Sequence, residues 1–168
     1  MSSDKLSPLS PLEIDAAWKG EELFARPEWQ YRLTSAEIEE LLAVARRMQV
    51  RENATAVVPD RVTRPRLAPK LGQIQELLEI GAGAVRVRGF PPEDASLDCA
   101  RGAFWAVCRH IGMPVSQSAQ GARIFSVRDA GLSNDDARAR GPNTRKSLSF
   151  HTDRCDVIAF LCYRQAQS

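Results

Sequence analysis

The segment Phe150-His151-Thr152-Asp153 places an imidazole and a carboxylate two residues apart. Side chains of an extended segment alternate between its two sides, so His151 and Asp153 point to the same side of the backbone and can reach one metal ion. A histidine and an acid at this spacing supply two ligands of the 2-His-1-carboxylate set that holds Fe(II) and leaves positions open. We therefore expect His151 and Asp153 to be iron ligands, with a second histidine from a later strand as the third ligand.

Two other interpretations of this segment stay open. His151 and Asp153 are also typical of a polar pair at a strand end, with Asp153 capping a turn. Zinc is conceivable, because Cys155 continues the alternation and Cys162 lies one strand further on. Structural zinc sites favour closely spaced ligand pairs, which this set lacks. We expect Cys155 and Cys162 to be buried, reduced thiols.

The composition is that of a globular chain of at most one domain. Of the 168 residues, 43% are apolar and 26% are charged, which excludes a disordered chain. The net charge of +2 is too small to indicate a nucleic-acid partner. No signal peptide begins the sequence, and no window has the roughly 18 apolar residues of a membrane span. We expect a cytoplasmic protein without a membrane partner, with all four cysteines reduced.

Helical patterns dominate the first two thirds of the sequence. Thr34 and Glu37 have the spacing of a capping box, and apolar residues follow at helical intervals. The alternation of apolar and charged residues from Ala84 to Arg88 predicts a half-buried strand. The predicted elements are a flexible leader over 1–14, a helix from Thr34, a helix from about Pro69 to Ile80, the strand over 84–88, and a helix from near Ser96 to Gly112.

The last third of the sequence predicts β structure. We expect strands over 124–127, 148–153 and 157–163, where β-branched, aromatic and other apolar residues form runs of strand length. The polar residues 129–146 between the first two predicted strands are typical of a long loop, and loops of this length are commonly functional lids or disordered segments. Arg145 and Lys146 in that loop could attract an anionic substrate, but we favour a surface charge pair.

The order of these motifs resembles the N-terminal part of the TauD/TfdA family, the taurine dioxygenase-like Fe(II)- and 2-oxoglutarate-dependent oxygenases. The resemblance covers roughly residues 15–168, and its most specific part is the His-Thr-Asp triplet in this ordered context. The residues that carry it are Gly83-Ala84-Val85-Arg86-Val87-Arg88-Gly89-Phe90-Pro91, His110-Ile111-Gly112-Met113-Pro114-Val115, Val127-Arg128-Asp129, Leu148-Ser149-Phe150-His151-Thr152-Asp153 and Phe160-Leu161-Cys162.

The resemblance implies both a fold and an activity. The implied fold is α+β, an incomplete double-stranded β-helix, or jelly roll, with N-terminal helices over residues 15–168. His151 and Asp153 would be the first two iron ligands. The implied cofactors are Fe(II) and 2-oxoglutarate as co-substrate, used with O₂ to hydroxylate a small organic substrate, with anionic acids among the candidates. The resemblance implies no particular oligomeric state.

The sequence also departs from the family pattern. Family members place a distal histidine ligand and an arginine that binds 2-oxoglutarate in a C-terminal half that is not part of these residues. His110, the only other histidine, matches no ligand position, and we expect it to interact with the dipole at the end of a helix. We therefore expect a domain truncated before its distal ligand. The alternative is a non-catalytic fragment that acts as an interaction or scaffold protein.

Overall fold

The computed structural model describes residues 13–48, 65–90, 95–132, 136, 147 and 149–165. Its helices and strands all lie before residue 112. In chain order they are α1 (Gly20–Ala25), β1 (Gln30–Arg32), α2 (Ser35–Ala45), α3 (Leu67–Glu79), β2 (Arg86–Arg88) and α4 (Leu97–Ile111). No helix among the described residues is long and apolar enough to cross a membrane. The predicted leader lies outside the described residues, except for its last two positions.

Helix α2 begins at the predicted capping box. The Thr34 hydroxyl accepts a hydrogen bond from the Glu37 amide at 3.3 Å, and a Glu37 carboxylate oxygen accepts one from the Thr34 amide at 2.8 Å. These bonds satisfy amide donors that have no partner within the helix. The sequence prediction of this helix start is confirmed.

Helix α3 begins two residues earlier than the predicted Pro69, because another helix caps it. The Glu40 carboxylate of α2 accepts hydrogen bonds from the amides of Arg66 and Leu67, at 3.1 and 3.3 Å. An acidic group also interacts favourably with the positive end of the helix dipole. Glu40 thus joins α2 to the start of α3, a connection that local sequence patterns do not contain.

Strands β1 and β2 form a two-stranded parallel sheet. The register pairs Gln30 with Arg86, Tyr31 with Val87 and Arg32 with Arg88. The predicted strand is therefore present but shorter than expected. The half-buried character holds for Ala84 and Val85, which are partly buried just before β2, whereas all three residues of β2 are exposed and Val87 retains 39% of its accessible surface.

The core lies where α4 crosses α2 and α3. Gly102 of α4 makes the closest approach, since a β-carbon added there would stand 2.9 Å from the carbonyl oxygen of Ala45 in α2. Small residues at this contact bring the two backbones together. The most deeply buried large side chains of the core are Leu41, Val44, Leu67 and Leu71.

Helical spacing predicts that Leu97, Ala100, Phe104, Cys108 and Ile111 form the buried face of α4, and of these only Ala100 is fully buried. Leu97 is exposed, and Phe104, Cys108 and Ile111 are only partly buried. The buried residues of α4 are Ala100, Gly102, Ala103, Trp105 and Ala106. The close approach to α2 requires small residues in α4, and Trp105 is the only large side chain of this helix that is fully buried.

Residues beyond α4 have no regular structure in the part of the chain that is described. The described residues 113–165, here called the C-terminal segment, contain neither helix nor strand. The strands expected over 124–127 and 157–163 are thus not formed, and most of the predicted loop over 129–146 lies outside the described residues. The described part is α+β, and the jelly roll stays a prediction.

Candidate metal centre

His151 and Asp153 lie on an irregular stretch of the C-terminal segment, and both side chains are exposed. The ring nitrogen Nδ1 of His151 lies 2.8 Å from the carbonyl oxygen of Ser149. A carbonyl accepts only, so this contact is a hydrogen bond when Nδ1 carries the proton. The other ring nitrogen, Nε2, then keeps its lone pair and is the atom available to a metal ion.

The described residues supply no third ligand beside this pair. No group of three or more His, Cys, Asp or Glu side chains that could hold a metal ion occurs among them. His110 lies in the last turn of α4, where the sequence placed it. Within the described residues, only the spacing of two positions in the sequence relates His151 to Asp153 as ligands of one ion.

The cysteines differ from the expectation at two positions. All four are free thiols, but Cys155 and Cys162 are exposed rather than buried. The strand pairing that would cover them is not formed in the described residues. Neither joins a metal-binding group there, so the zinc alternative gains no support. Cys108 in α4 is mostly buried, and burial raises the pKa of its thiol to about 11.

Hydrogen bonds join the C-terminal segment to α4 and to Ala95 just before it. The hydroxyl of Tyr163 donates a hydrogen bond to the carbonyl oxygen of Ala95 at 3.0 Å. Arg101 donates to the Ser126 hydroxyl at 3.1 Å and lies 3.6 Å from the carboxylate of Asp98. These contacts hold the segment beside α4 without pairing its backbone.

A second polar cluster, which the sequence did not reveal, joins β1, α2 and α3. The Tyr31 hydroxyl donates to Oε1 of Glu37 at 2.5 Å, and the Lys70 ammonium stands 4.1 Å above the Tyr31 ring. The capping box identified Glu37 but not its partners, because Tyr31 and Lys70 reach it only in the folded chain.

The electrostatics of this cluster favour an ionised Glu37 and a neutral Tyr31. Burial pushes the pKa of Glu37 upward, but hydrogen bonds from Tyr31 and Thr34 and the nearby Lys70 charge outweigh it and lower that pKa. Burial, together with the hydrogen bond to Glu37 and its negative charge, raises the pKa of Tyr31 to about 12. The polar side-chain groups of Tyr31, Glu37 and Lys70 all have hydrogen-bond partners, so the arrangement stabilises the fold.

An open cleft of about 530 Å³ lies next to this cluster, between β1 and α3. Tyr31 and Lys70 line one end, and Ile74, Leu77 and Val85 form apolar walls. The cleft lies on the helical part of the chain, and His151 and Asp153 do not line it.

No family model matches the sequence. The chain is similar to FR-33289 synthase of Streptomyces rubellomurinus (strain ATCC 31215), with 30% identity over 160 residues. The match covers 94% of this chain and 47% of the synthase. The chain therefore spans about half the length of the curated relative that it matches.

Proposed function

We propose that this chain is the N-terminal part of a non-haem Fe(II)- and 2-oxoglutarate-dependent oxygenase of the TauD/TfdA type. In this proposal His151 and Asp153 are two of the three iron ligands, and the completed protein hydroxylates a small organic substrate. The fold that goes with it is a jelly roll to which the C-terminal segment contributes strands.

The observation that carries the proposal is the placement of His151 and Asp153. Both are exposed and two residues apart on a stretch without regular structure, and a hydrogen bond from Nδ1 of neutral His151 to the Ser149 carbonyl would leave Nε2 to a metal ion. The similarity to FR-33289 synthase, by its name an enzyme, extends over nearly the whole chain and supports an enzymatic role. The resemblance of the motif order to the family gives the class of enzyme.

The donor atoms of His151 and Asp153 are of the types that bind Fe(II), but they are fewer than the three protein ligands of the facial set. An imidazole and a carboxylate belong to the Fe(II) facial set, which has three protein ligands. The described residues offer two of them. Bound Fe(II) with 2-oxoglutarate would supply the oxidative chemistry. These residues would contribute one imidazole nitrogen and one carboxylate to its binding.

The test is a chimera in which this chain replaces the matching part of FR-33289 synthase, with the intact synthase assayed in parallel. We expect the chimera to bind Fe(II) without O₂ present and to consume 2-oxoglutarate when O₂ is added. His151→Ala and Asp153→Ala should each abolish consumption and reduce bound iron, because each removes one ligand.

Asp156→Asn is the matched control, since Asp156 is an exposed acid three residues beyond Asp153. It should leave iron content and consumption unchanged. Consumption that survives His151→Ala in a chimera that melts cooperatively would contradict the ligand assignment.

One observation favours the alternative of an interaction protein. The C-terminal segment exposes large apolar side chains, among them Phe150, Ile158 and Phe160. Such surfaces commonly mark contact with another chain or segment. In this alternative the isolated chain associates in sedimentation experiments, and Phe160→Ser weakens the association. A monomer over the accessible concentration range would refute it.

A further inference from the structure

One face of the β1–β2 sheet carries three arginines. The parallel register pairs Arg32 with Arg88, so their side chains stand next to each other on the same face. Arg86 lies two residues before Arg88 and therefore on that face as well. We call Arg32, Arg86 and Arg88 the arginine face. The fourth position on it is the neutral Gln30.

The arginine face is turned away from the core. Tyr31 and Val85 pack against the helices, and side-chain alternation puts the arginines on the opposite side of the sheet. Arg32, Arg86 and Arg88 are all exposed. Within the described residues, none of the three forms an ion pair with an acidic side chain.

Among the described residues, Arg32 and Arg88 place like charges opposite each other. Like charges directly opposite each other on neighbouring strands destabilise a sheet. The repulsion is relieved by a ligand with negative charge, and guanidinium groups bind oxyanions through paired, charge-assisted hydrogen bonds.

The spacing of the guanidinium groups limits the size and charge of the ligand. Paired strands lie about 4.8 Å apart, and residues two apart on a strand are separated by roughly 7 Å. An area of these dimensions accommodates one tetrahedral oxyanion among three flexible side chains. A monovalent carboxylate would leave two of the three positive charges uncompensated, whereas a phosphate dianion compensates two.

We propose that the arginine face binds a small, soluble phosphate-type oxyanion. This inference concerns β1 and β2 only and does not depend on the iron proposal. The ligand bridges the two strands, with Arg32 contributed by β1, and Arg86 and Arg88 contributed by β2.

The experiment measures binding of inorganic phosphate to the 168-residue chain by calorimetry in a buffer without other oxyanions. Arg88→Gln should weaken phosphate binding about tenfold, because it removes one of the three guanidinium groups that donate charge-assisted hydrogen bonds to the anion. Arg32→Gln, on the other strand, should weaken it similarly. Arg47→Gln, which changes an exposed arginine just after α2, should leave it unchanged.

Melting temperatures give an independent readout. Without phosphate, Arg88→Gln should melt at the same temperature as the unaltered chain or higher, because repulsion from Arg32 is removed. With phosphate, the unaltered chain should melt higher than the variant. Sodium chloride at the same ionic strength should not produce this reversal.

Three results would overturn the proposal. They are an equal response of the unaltered chain and Arg88→Gln to phosphate, an equal effect of sodium chloride, and weaker phosphate binding by Arg47→Gln. The first shows that the arginine face is not the site, the second that salt screening acts alone, and the third that binding is a general property of surface arginines.

Discussion

The helical part of the chain and the C-terminal segment use apolar residues in opposite ways. In the helical part, large side chains such as Leu41 and Leu71 keep 1% and 2% of their accessible surface. In the C-terminal segment, Phe160 keeps 77%, and Phe150 is fully exposed. Both regions are apolar in sequence, but helices satisfy their backbones locally, whereas strands need a neighbour. Among the described residues, the contrast is therefore one of packing, since both regions have apolar side chains but those of the C-terminal segment are largely exposed.

The largest expected effect is a difference in stability loss between a substitution in the helical part and one in the C-terminal segment. Leu41→Ala should destabilise the chain by about 2–5 kcal/mol, because it opens a cavity in a packed core. Phe160→Ala should change stability by less than about 0.5 kcal/mol, because its ring is already in solvent. Urea unfolding followed by circular dichroism measures both. A similar loss for the two variants would show that the C-terminal segment is packed in solution.

The next effect concerns the polar cluster that holds the helical part together. Tyr31→Phe removes the hydroxyl bound to Glu37 and should cost about 1.5–3 kcal/mol, as expected for a hydrogen bond to a charged group. The ring under Lys70 remains, so the change isolates the hydroxyl. Thermal unfolding near neutral pH measures the loss, and an unchanged melting temperature would show that the bond contributes nothing.

Because of the same cluster, the free energy of unfolding should decrease both at low pH and at high pH. The pKa of Glu37 is lower in the folded chain than its ordinary 4.5, so its contribution is present above that value and disappears as pH falls through the folded pKa. The pKa of Tyr31 is raised from 10.0 to about 12, so its contribution is present below pH 10 and disappears between those values. Tyr31→Phe should remove the alkaline loss attributable to this residue.

Substitutions at two helical glycines test how closely the helices pack. Gly102→Ala should destabilise by roughly 1–3 kcal/mol, because the new methyl group meets the backbone of Ala45. Gly72→Ala in α3 should stabilise by about 0.5–1 kcal/mol, since nothing lies within 4 Å of the added carbon and alanine favours helix. Changes of opposite sign in the free energy of chemical unfolding would support the close α2–α4 contact, and changes of the same sign would contradict it.

The smallest expected effect lies at the connection between the two regions. Tyr163→Phe removes the hydrogen bond to Ala95 and should cost about 0.5–1.5 kcal/mol of local stability. Hydrogen exchange should quicken near Ala95 and residues 160–165, while the core amides stay protected. Faster exchange throughout the core would show that Tyr163 supports the whole fold.

The sequence predicts elements whose causes are local. The capping box at Thr34 and the cap at Ser96 satisfy amides within a few residues, and both helix starts are confirmed. The start of α3 is missed because its cap, Glu40, comes from another helix. The buried face of α4 is missed because packing against Ala45 depends on the position of α2.

The candidate site is predictable only where it depends on residues that are close in the sequence. Two ligands at a spacing of two residues are visible in a linear sequence, and His151 and Asp153 stay predictions on that basis. A third ligand and its geometry depend on strand pairing, which no local pattern fixes. The arginine face shows a similar limit. Arg86 and Arg88 alternate visibly, but only the register brings Arg32 beside them.

The parallel pairing of residue 30 with residue 86 has a consequence for synthesis on the ribosome. The chain emerges at about 5–20 residues per second, so β1 leaves the ribosome seconds before its partner is made. Helices α2 and α3 lie between the strands and can form during that interval. The β1–β2 pairing is therefore a long-range contact that can form only after the residues of α2 and α3 have been made.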